Sequence, residues 1–233
     1  MMMLSIVIPT LNENDNIGRL VSEIRKKVEV PFEIIIIDDG STDGTIGTIR
    51  KLQKSMGKRL RLIQRKERGL GGAMSKGLQA AKGEFIATMD ADLSHDPIDI
   101  RGMLKAIEGN DVVVGSRYLK GAKVQKITWK RLIISKGANY LTKIFLGLTP
   151  SDLTNNFRLY RRSSLKEIHL GKIRNKSFSF LVEVLYLLAR KGCKMVEFPI
   201  HFREREDGLS KLSKSQYVMF AKTIARLKLS EIG

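Results

Sequence analysis

Residues 85–97 read FIATMDADLSHDP. The run Phe85-Ile86-Ala87-Thr88-Met89 is the composition of a strand buried on both faces, and it ends in two aspartates one residue apart. On an extended chain residues i and i+2 point to the same side, so Asp90 and Asp92 present both carboxylates to one spot. Like charges that close repel unless a proton or a cation neutralises them. The stretch therefore predicts a buried strand that delivers a cation-seeking acidic pair to the rim of a sheet.

The chain around it repeats the same unit. LSIVIPT (4–10) and FEIIII (32–37) are continuous apolar strands, and further strands are expected at 60–64 and 111–115. Between them Ile17, Leu20, Val21, Ile24 and Val28 recur at helical spacing, and helices are expected at 45–55, 73–81 and 99–107. Continuous rather than alternating apolar strands, separated by helices, predict an α/β fold: a mostly parallel, Rossmann-like sheet covered on both faces. Ligands of such sheets sit outside the carboxyl ends of the strands. Asp38-Asp39 closes the second strand as Asp90 and Asp92 close the fourth, so the two acidic ends are expected to share one crevice.

The second half is less regular, with helices expected at 129–148, 180–191 and 212–229 and strands at 157–160 and 195–202. No linker, repeat or low-complexity stretch interrupts it, which predicts a single domain over 1–233. The longest apolar runs are strand-sized, well short of the ~20 residues of a membrane span. No basic segment precedes the N-terminal apolar run, so no signal peptide is expected. The single cysteine, Cys193, excludes an internal disulfide and fits a reducing compartment.

The net charge of +18 is unevenly divided. Residues 1–116 carry 17 basic and 16 acidic side chains, and residues 117–233 carry 25 and 8. The C-terminal half therefore expects an anionic partner: phosphate, nucleic acid or an anionic membrane surface. A nucleic-acid-binding module would interleave aromatic residues with its charges. Aromatics are only 6% of this chain, and that reading leaves the acidic pairs unexplained, so no nucleic-acid partner is expected.

IVIPTLNE (6–13), DDGSTDGT (38–45), the run from GLGGA (69–73) to AAKGE (80–84), MDADLSHDP (89–97), GSRY (115–118) and GLSKL (208–212) occur in that order. Together they resemble the family-2 glycosyltransferases of GT-A fold, and within them the dolichyl-phosphate mannose synthase branch. The resemblance implies an inverting enzyme that transfers mannose from GDP-mannose to a dolichyl (polyprenyl) phosphate, with Mg²⁺ or Mn²⁺. Glucosyl transfer from UDP-glucose to the same lipid is the alternative. It places Pro9, Leu11, Glu13, Asp38, Asp39 and Asp90 at the nucleotide-sugar donor, and makes Asp92 the metal ligand of a DXD motif. Ser94 stands where some relatives carry a ligating glutamine, which leaves a third protein ligand open, and His95 is either a helper or a structural loop residue. Asp90, Asp92 and Arg117 are the expected catalytic set. Arg117, Arg131, Ser135, Arg205 and Lys211 match positions that surround the acceptor phosphate.

Several consequences follow from that resemblance and from the residues themselves. A phosphate monoester is already ionised near neutral pH, so the acceptor needs no general base, and none emerges from the motifs. Asn155-Asn156 in DLTNNFR (152–158) replaces a Ser-Gly common in relatives, which leaves loop shape and sugar selectivity open. GLGGA lacks the Lys-Ser/Thr of a phosphate loop, and either packs closely at a helix start or touches the donor. The lipid acceptor implies a cytoplasmic protein in peripheral contact with a membrane, with a separate membrane-anchoring subunit as a further partner. The last helix carries Tyr217, Phe220, Ile224 and Leu227 on one side and lysines and arginines around them. It either lies on an anionic membrane or packs on the sheet with a solvated basic face.

Overall fold

The four isoleucines at 34–37 set the layering. Ile34 and Ile36 face one apolar cluster and Ile35 and Ile37 the other, as the two-residue period of a strand requires. All four are fully buried, each burial contributing roughly 1.5–3 kcal/mol. In this computed structural model residues 3–125, 129–173, 175, 177–204 and 214–229 are described, except for the side chains of 129–131, 134 and 214–217.

The strands are β1 (Leu4–Thr10), β2 (Phe32–Asp38), β3 (Leu60–Gln64), β4 (Phe85–Thr88), β5 (Val112–Ser116), β6 (Lys123–Gln125), β7 (Arg158–Arg161), β8 (Met195–Pro199) and β9 (His201–Arg203). Seven form one sheet in the order β3-β2-β1-β4-β7-β5-β8, and β6 pairs with β9 in a small second sheet. Only β7 runs against its neighbours in the large sheet, so the expected mostly parallel architecture is present. Strand order reverses beside β1, where β2 and β3 lie to one side and β4 to the other. In sheets of this kind ligands bind at that switch point, outside the carboxyl ends of β1, β2 and β4.

Helices α1 (Asn14–Lys27), α2 (Thr45–Met56) and α4 (Asp99–Ala106) cover the face of Ile34 and Ile36. The opposite face carries α3 (Leu70–Ala80), α5 (Trp129–Leu146), α6 (Arg162–Lys166), α7 (Phe180–Arg190) and α8 (Lys214–Leu229). At Gly77 a Cβ would stand 2.4 Å from Val7 Cγ1 and 2.6 Å from Ile37 Cδ1. Glycine there lets α3 lie directly on β1 and β2.

Two sequence readings are corrected. The helix expected at 73–81 begins at Leu70, so Gly71 and Gly72 lie in its first turn rather than before it. The strand expected at 195–202 breaks at Ile200, and its end pairs with β6 instead of the main sheet. On α5 an apolar side is turned outward: Ile133, Leu141 and Ile144 are at least 60% exposed. Of the two placements open for the last helix the packed one is present: on α8 Ile224 and Leu227 are buried in the core and the Tyr186 hydroxyl donates to the Leu227 carbonyl at 3.0 Å. Strands β7 and β8, from the basic C-terminal half, complete the main sheet.

Candidate active site

On the donor side, the loops after β1 and β2 are stitched together by short polar side chains. Asn12 N–H donates to Ser41 Oγ at 2.9 Å, Thr42 N–H to Asn12 Oδ1 at 2.9 Å, and Glu13 N–H to Thr45 Oγ1 at 2.9 Å. Asp38 is fully buried and its carboxylate closes its own turn, accepting from the Gly40 and Ser41 N–H groups at 3.0 and 2.9 Å. Asp39, also buried, is the aspartate that reaches beyond its own turn. It pairs with Arg65 and accepts the Gly69 N–H, at the start of α3, at 2.8 Å. Burial pushes the Asp39 carboxyl up, against the opposing pull of Gly69 and Arg65. The glycines of GLGGA serve this pairing and the packing beneath it. A Cβ on Gly72 would meet Arg65 Nη2 at 2.2 Å, and one on Gly71 the Asn175 carbonyl at the same distance. Pro9 and Leu11 are half-buried at the end of β1, and Glu13 is buried beside them.

The acidic pair sits where the β4 chain leaves the sheet. Leu93 adopts φ of 62°, a left-handed backbone unusual for a branched side chain. The tight turn this makes lets Ser94 N–H donate to Asp92 Oδ1 at 3.1 Å. His95 is buried within the loop, stacked on Phe157 at 5.0 Å between ring centroids. Its Nδ1 accepts the Asp90 N–H at 3.1 Å. Partial burial raises the pKa of the Asp90 carboxyl, the Asp92 charge adds to the rise, and Asn156 and Arg117 oppose it. The pair is thus short of positive charge, and its oxygen-only donor set suits Mg²⁺ or Mn²⁺. Among the described residues no group of three or more His, Cys, Asp or Glu is placed to hold a metal ion by itself. A cation here would find its protein ligands in these aspartates and its remaining ligands elsewhere.

Arg117 lies just past β5. Burial works against its charged form, but the pair with Asp152 outweighs that and raises its pKa further. Nε and Nη2 of Arg117 bond Asp152 Oδ2 and Oδ1, and the guanidinium lies over the Tyr118 and Phe202 rings at 5.4 and 5.2 Å. Ser135 shares a 2.6 Å hydrogen bond with the Tyr118 hydroxyl. Asn139 donates to that same hydroxyl at 3.2 Å and to Thr154 Oγ1 at 3.2 Å. Arg117 and Ser135, 18 positions apart in the chain, are therefore joined in one polar cluster through Tyr118. The Phe202 ring lies against both the Arg117 guanidinium, at 5.2 Å, and the His95 ring, at 5.9 Å between centroids, and His95 accepts the Asp90 N–H, so this cluster stands beside the acidic pair. Arg131 lies on α5, but its side chain is outside the described residues, as are Arg205 and Lys211.

Sequence reasoning did not assign Arg65, Asp152, Asn139 or Asn156. Asp152 and Asn156 lie in the DLTNNFR stretch, whose departure from Ser-Gly was the available signal. Arg65 and Asn139 had none, because their partners are distant in the chain.

Three comparisons with known proteins bear on this geometry. Residues 5–169 match the model of the family described as Glycosyl transferase family 2. The polyprenol monophosphomannose synthase of Mycolicibacterium smegmatis is 35% identical over 215 residues, covering 90% of this chain and 81% of the relative. The dolichol-phosphate mannosyltransferase of Pyrococcus furiosus is 35% identical over 231 residues, covering 97% of this chain. The chain spans only 64% of that second relative's length. Among solved structures, the glucosyl-3-phosphoglycerate synthase of Mycobacterium tuberculosis with Mn²⁺, UDP and phosphoglyceric acid aligns with a TM-score of 0.70 at 18% identity, covering 100% of this chain and 79% of that one. The same enzyme with Mg²⁺ and UDP aligns at 0.68 and 17%, covering 98% and 79%. At such identity the likeness is one of fold.

Proposed function

The chain belongs to glycosyl transferase family 2 and has its GT-A fold, and from that premise we propose that it transfers mannose from GDP-mannose to a polyprenyl phosphate of dolichyl type, with inversion at the sugar. The carrying observation is the placement of Arg117 and its polar cluster beside the Asp90–Asp92 pair, with Phe202 and His95 between them. One site wants a cation and the other offers cationic and hydroxyl donors, the arrangement needed to hold two phosphorylated groups side by side. The names of the two relatives at 35% identity support mannose and a polyprenyl acceptor.

In this reading the donor lies over the ends of β1, β2 and β4, with Pro9, Leu11, Glu13, Asp38, Asp39 and Asp90 around it. Asp92 holds Mg²⁺ or Mn²⁺, which when bound supplies Lewis-acid stabilisation of the departing diphosphate. Arg117 and Ser135, joined by Arg131, Arg205 and Lys211, fix the acceptor phosphate. That phosphate is its own nucleophile, so the protein contributes positioning and electrostatics rather than a base.

The protein meets its lipid as a peripheral protein on the cytoplasmic side of a membrane. No helix among the described residues is long and apolar enough to cross one. The surface that supports contact is α5, whose outward stripe of Ile133, Tyr140, Leu141, Ile144 and Phe145 is exposed. The chain acts as one catalytic domain over 1–233.

A thermal-shift screen of GDP, UDP and their sugars, with and without Mn²⁺, tests the assignment. GDP and GDP-mannose should stabilise the protein selectively and only with metal. Selective stabilisation by UDP-glucose would move the reading to glucosyl transfer, and no response to any nucleotide would defeat it.

A further inference from the structure

Asp90 is held at two points by residues outside its own strand. At the backbone, its N–H donates to His95 Nδ1, and His95 Nε2 meets Asn155 Oδ1 at 2.8 Å. Asn155 Nδ2 donates to the Gly115 carbonyl at 2.7 Å, and its Oδ1 also accepts the Phe157 N–H at 3.2 Å. Those bonds fix the amide orientation, and with it the histidine tautomer: Nδ1 accepts and Nε2 carries the proton. At the side chain, Asn156 Nδ2 donates to Asp90 Oδ1 at 2.9 Å.

The loop that supplies both asparagines is itself pinned. Arg158 is fully buried, and its guanidinium donates to the carbonyls of Leu153, Asn155 and Leu181 at 2.6, 2.8 and 2.6 Å. Thr88, the last residue of β4, donates through its hydroxyl to the Asn156 carbonyl.

One atom in this arrangement is left over. Asn156 Oδ1 is buried and has no hydrogen-bond partner among the described residues. Buried polar atoms are rarely left so, and each instance calls for a reason. Turning the amide over would bring Oδ1 against Asp90 Oδ1, acceptor on acceptor. The observed orientation is the one Asp90 selects, and the unpaired oxygen is its consequence.

We propose that Asn156 is a positioning residue which holds the Asp90 carboxylate in its donor-binding pose before metal and nucleotide sugar arrive, at some expense of stability. The proposal rests on the donor site described under the proposed function. A residue retained for packing should stabilise the fold, whereas one retained to aim Asp90 against a stability cost should not.

The variant Asn156→Leu keeps the side chain's approximate volume and removes both its donor and its orphaned acceptor. Two measurements are made on the full chain: the thermal midpoint without ligand, and calorimetric binding of GDP and, separately, UDP in the presence of Mn²⁺. The midpoint should be unchanged or higher. Affinity for the nucleotide that the wild type prefers should fall about tenfold, which corresponds to ~1.4 kcal/mol. A lowered midpoint, with or without weaker binding, would make Asn156 a packing residue and overturn the proposal. Wild-type binding matched by Asn156→Leu would overturn it while leaving the donor site standing. If neither nucleotide binds the wild type with Mn²⁺, the donor-site reading fails and this proposal fails with it.

Discussion

Arg117 Nε and Nη2 meet Asp152 Oδ2 and Oδ1 at 2.7 and 2.8 Å, and Asp152 is fully buried. The arginine assigned to the acceptor phosphate is therefore aimed by a two-bond carboxylate pair, and its backbone N–H donates to the same Asp152 Oδ2 at 3.1 Å. A planar guanidinium can keep that grip and still turn an edge to a phosphate, whereas a lysine ammonium offers only a point charge.

Arg117→Lys should consequently raise the KM for polyprenyl phosphate tenfold or more while nucleotide binding with Mn²⁺ stays near wild type. Steady-state kinetics with each substrate varied in turn separates the two. A loss shared equally between donor and acceptor would remove Arg117 from the acceptor side. Asp152→Ala should be the more damaging change to stability, since it leaves a mostly buried guanidinium unpaired, a loss on the order of 3–5 kcal/mol.

Asp92→Ala should abolish transfer and metal-dependent nucleotide binding while leaving the thermal midpoint close to wild type. Asp92 is only partly buried, and its recorded hydrogen bond is to the Ser94 N–H of its own turn, so little of the fold depends on it. Substantial transfer by this variant would sink the metal assignment.

The sheet was legible in the sequence because its strands advertise themselves. Ile34 to Ile37 is a run that only a strand buried on both faces can use, and the bounds expected for β3 match those observed. Asp90 and Asp92 were legible for a related reason, since a hydrophobic strand ending in paired charges has few explanations. The outward apolar stripe of α5 was not, because periodicity identifies a helix face without saying which side the protein covers. The start of α3 was misplaced because glycines usually mark turns, whereas here they admit Arg65 and the Asn175 carbonyl against a helix. Arg65–Asp39 and Asn156–Asp90 join residues far apart in sequence, and no local pattern carries such a pairing.

Glu33 gives the fold a pH dependence with a definite sign. It accepts the Ser5 hydroxyl at 2.7 Å, the Lys82 N–H at 3.0 Å and an Arg61 N–H at 3.2 Å, tying the start of β1 to β2, β3 and the end of α3. Burial opposes its charged form, but these donors together outweigh it and hold the carboxyl below its ordinary value. A lowered folded-state pKa means that the stabilisation is present above the unfolded-state value, near ~4.3, and is lost as pH falls through the folded one. The thermal midpoints of wild type and Glu33→Gln should accordingly differ most near neutrality and converge as the pH drops below about 4. A gap independent of pH would mean that the carboxylate charge is not what these donors recognise.

The exposed face of α5 is the place to test membrane contact. Leu141 and Ile144 are 69% and 60% exposed and share a stripe with Ile133 and Tyr140, so the protein interior does not account for them. On α8, by contrast, Ile224 and Leu227 are already spent on the core, and Arg226 is paired with Glu183 at 2.8 Å. Contact with a bilayer through the apolar side of α8 would require unpacking it. Leu141→Glu and Ile144→Glu each remove an apolar side chain whose burial in lipid is worth roughly 1.5–3 kcal/mol, or about tenfold or more in partitioning. Flotation with anionic liposomes should fall at least that much for either variant and further for the pair, while the thermal midpoint is unchanged because neither residue is packed. Transfer to a short-chain, water-soluble polyprenyl phosphate should persist in both. Undiminished flotation by the double variant would rule α5 out as the membrane-facing surface.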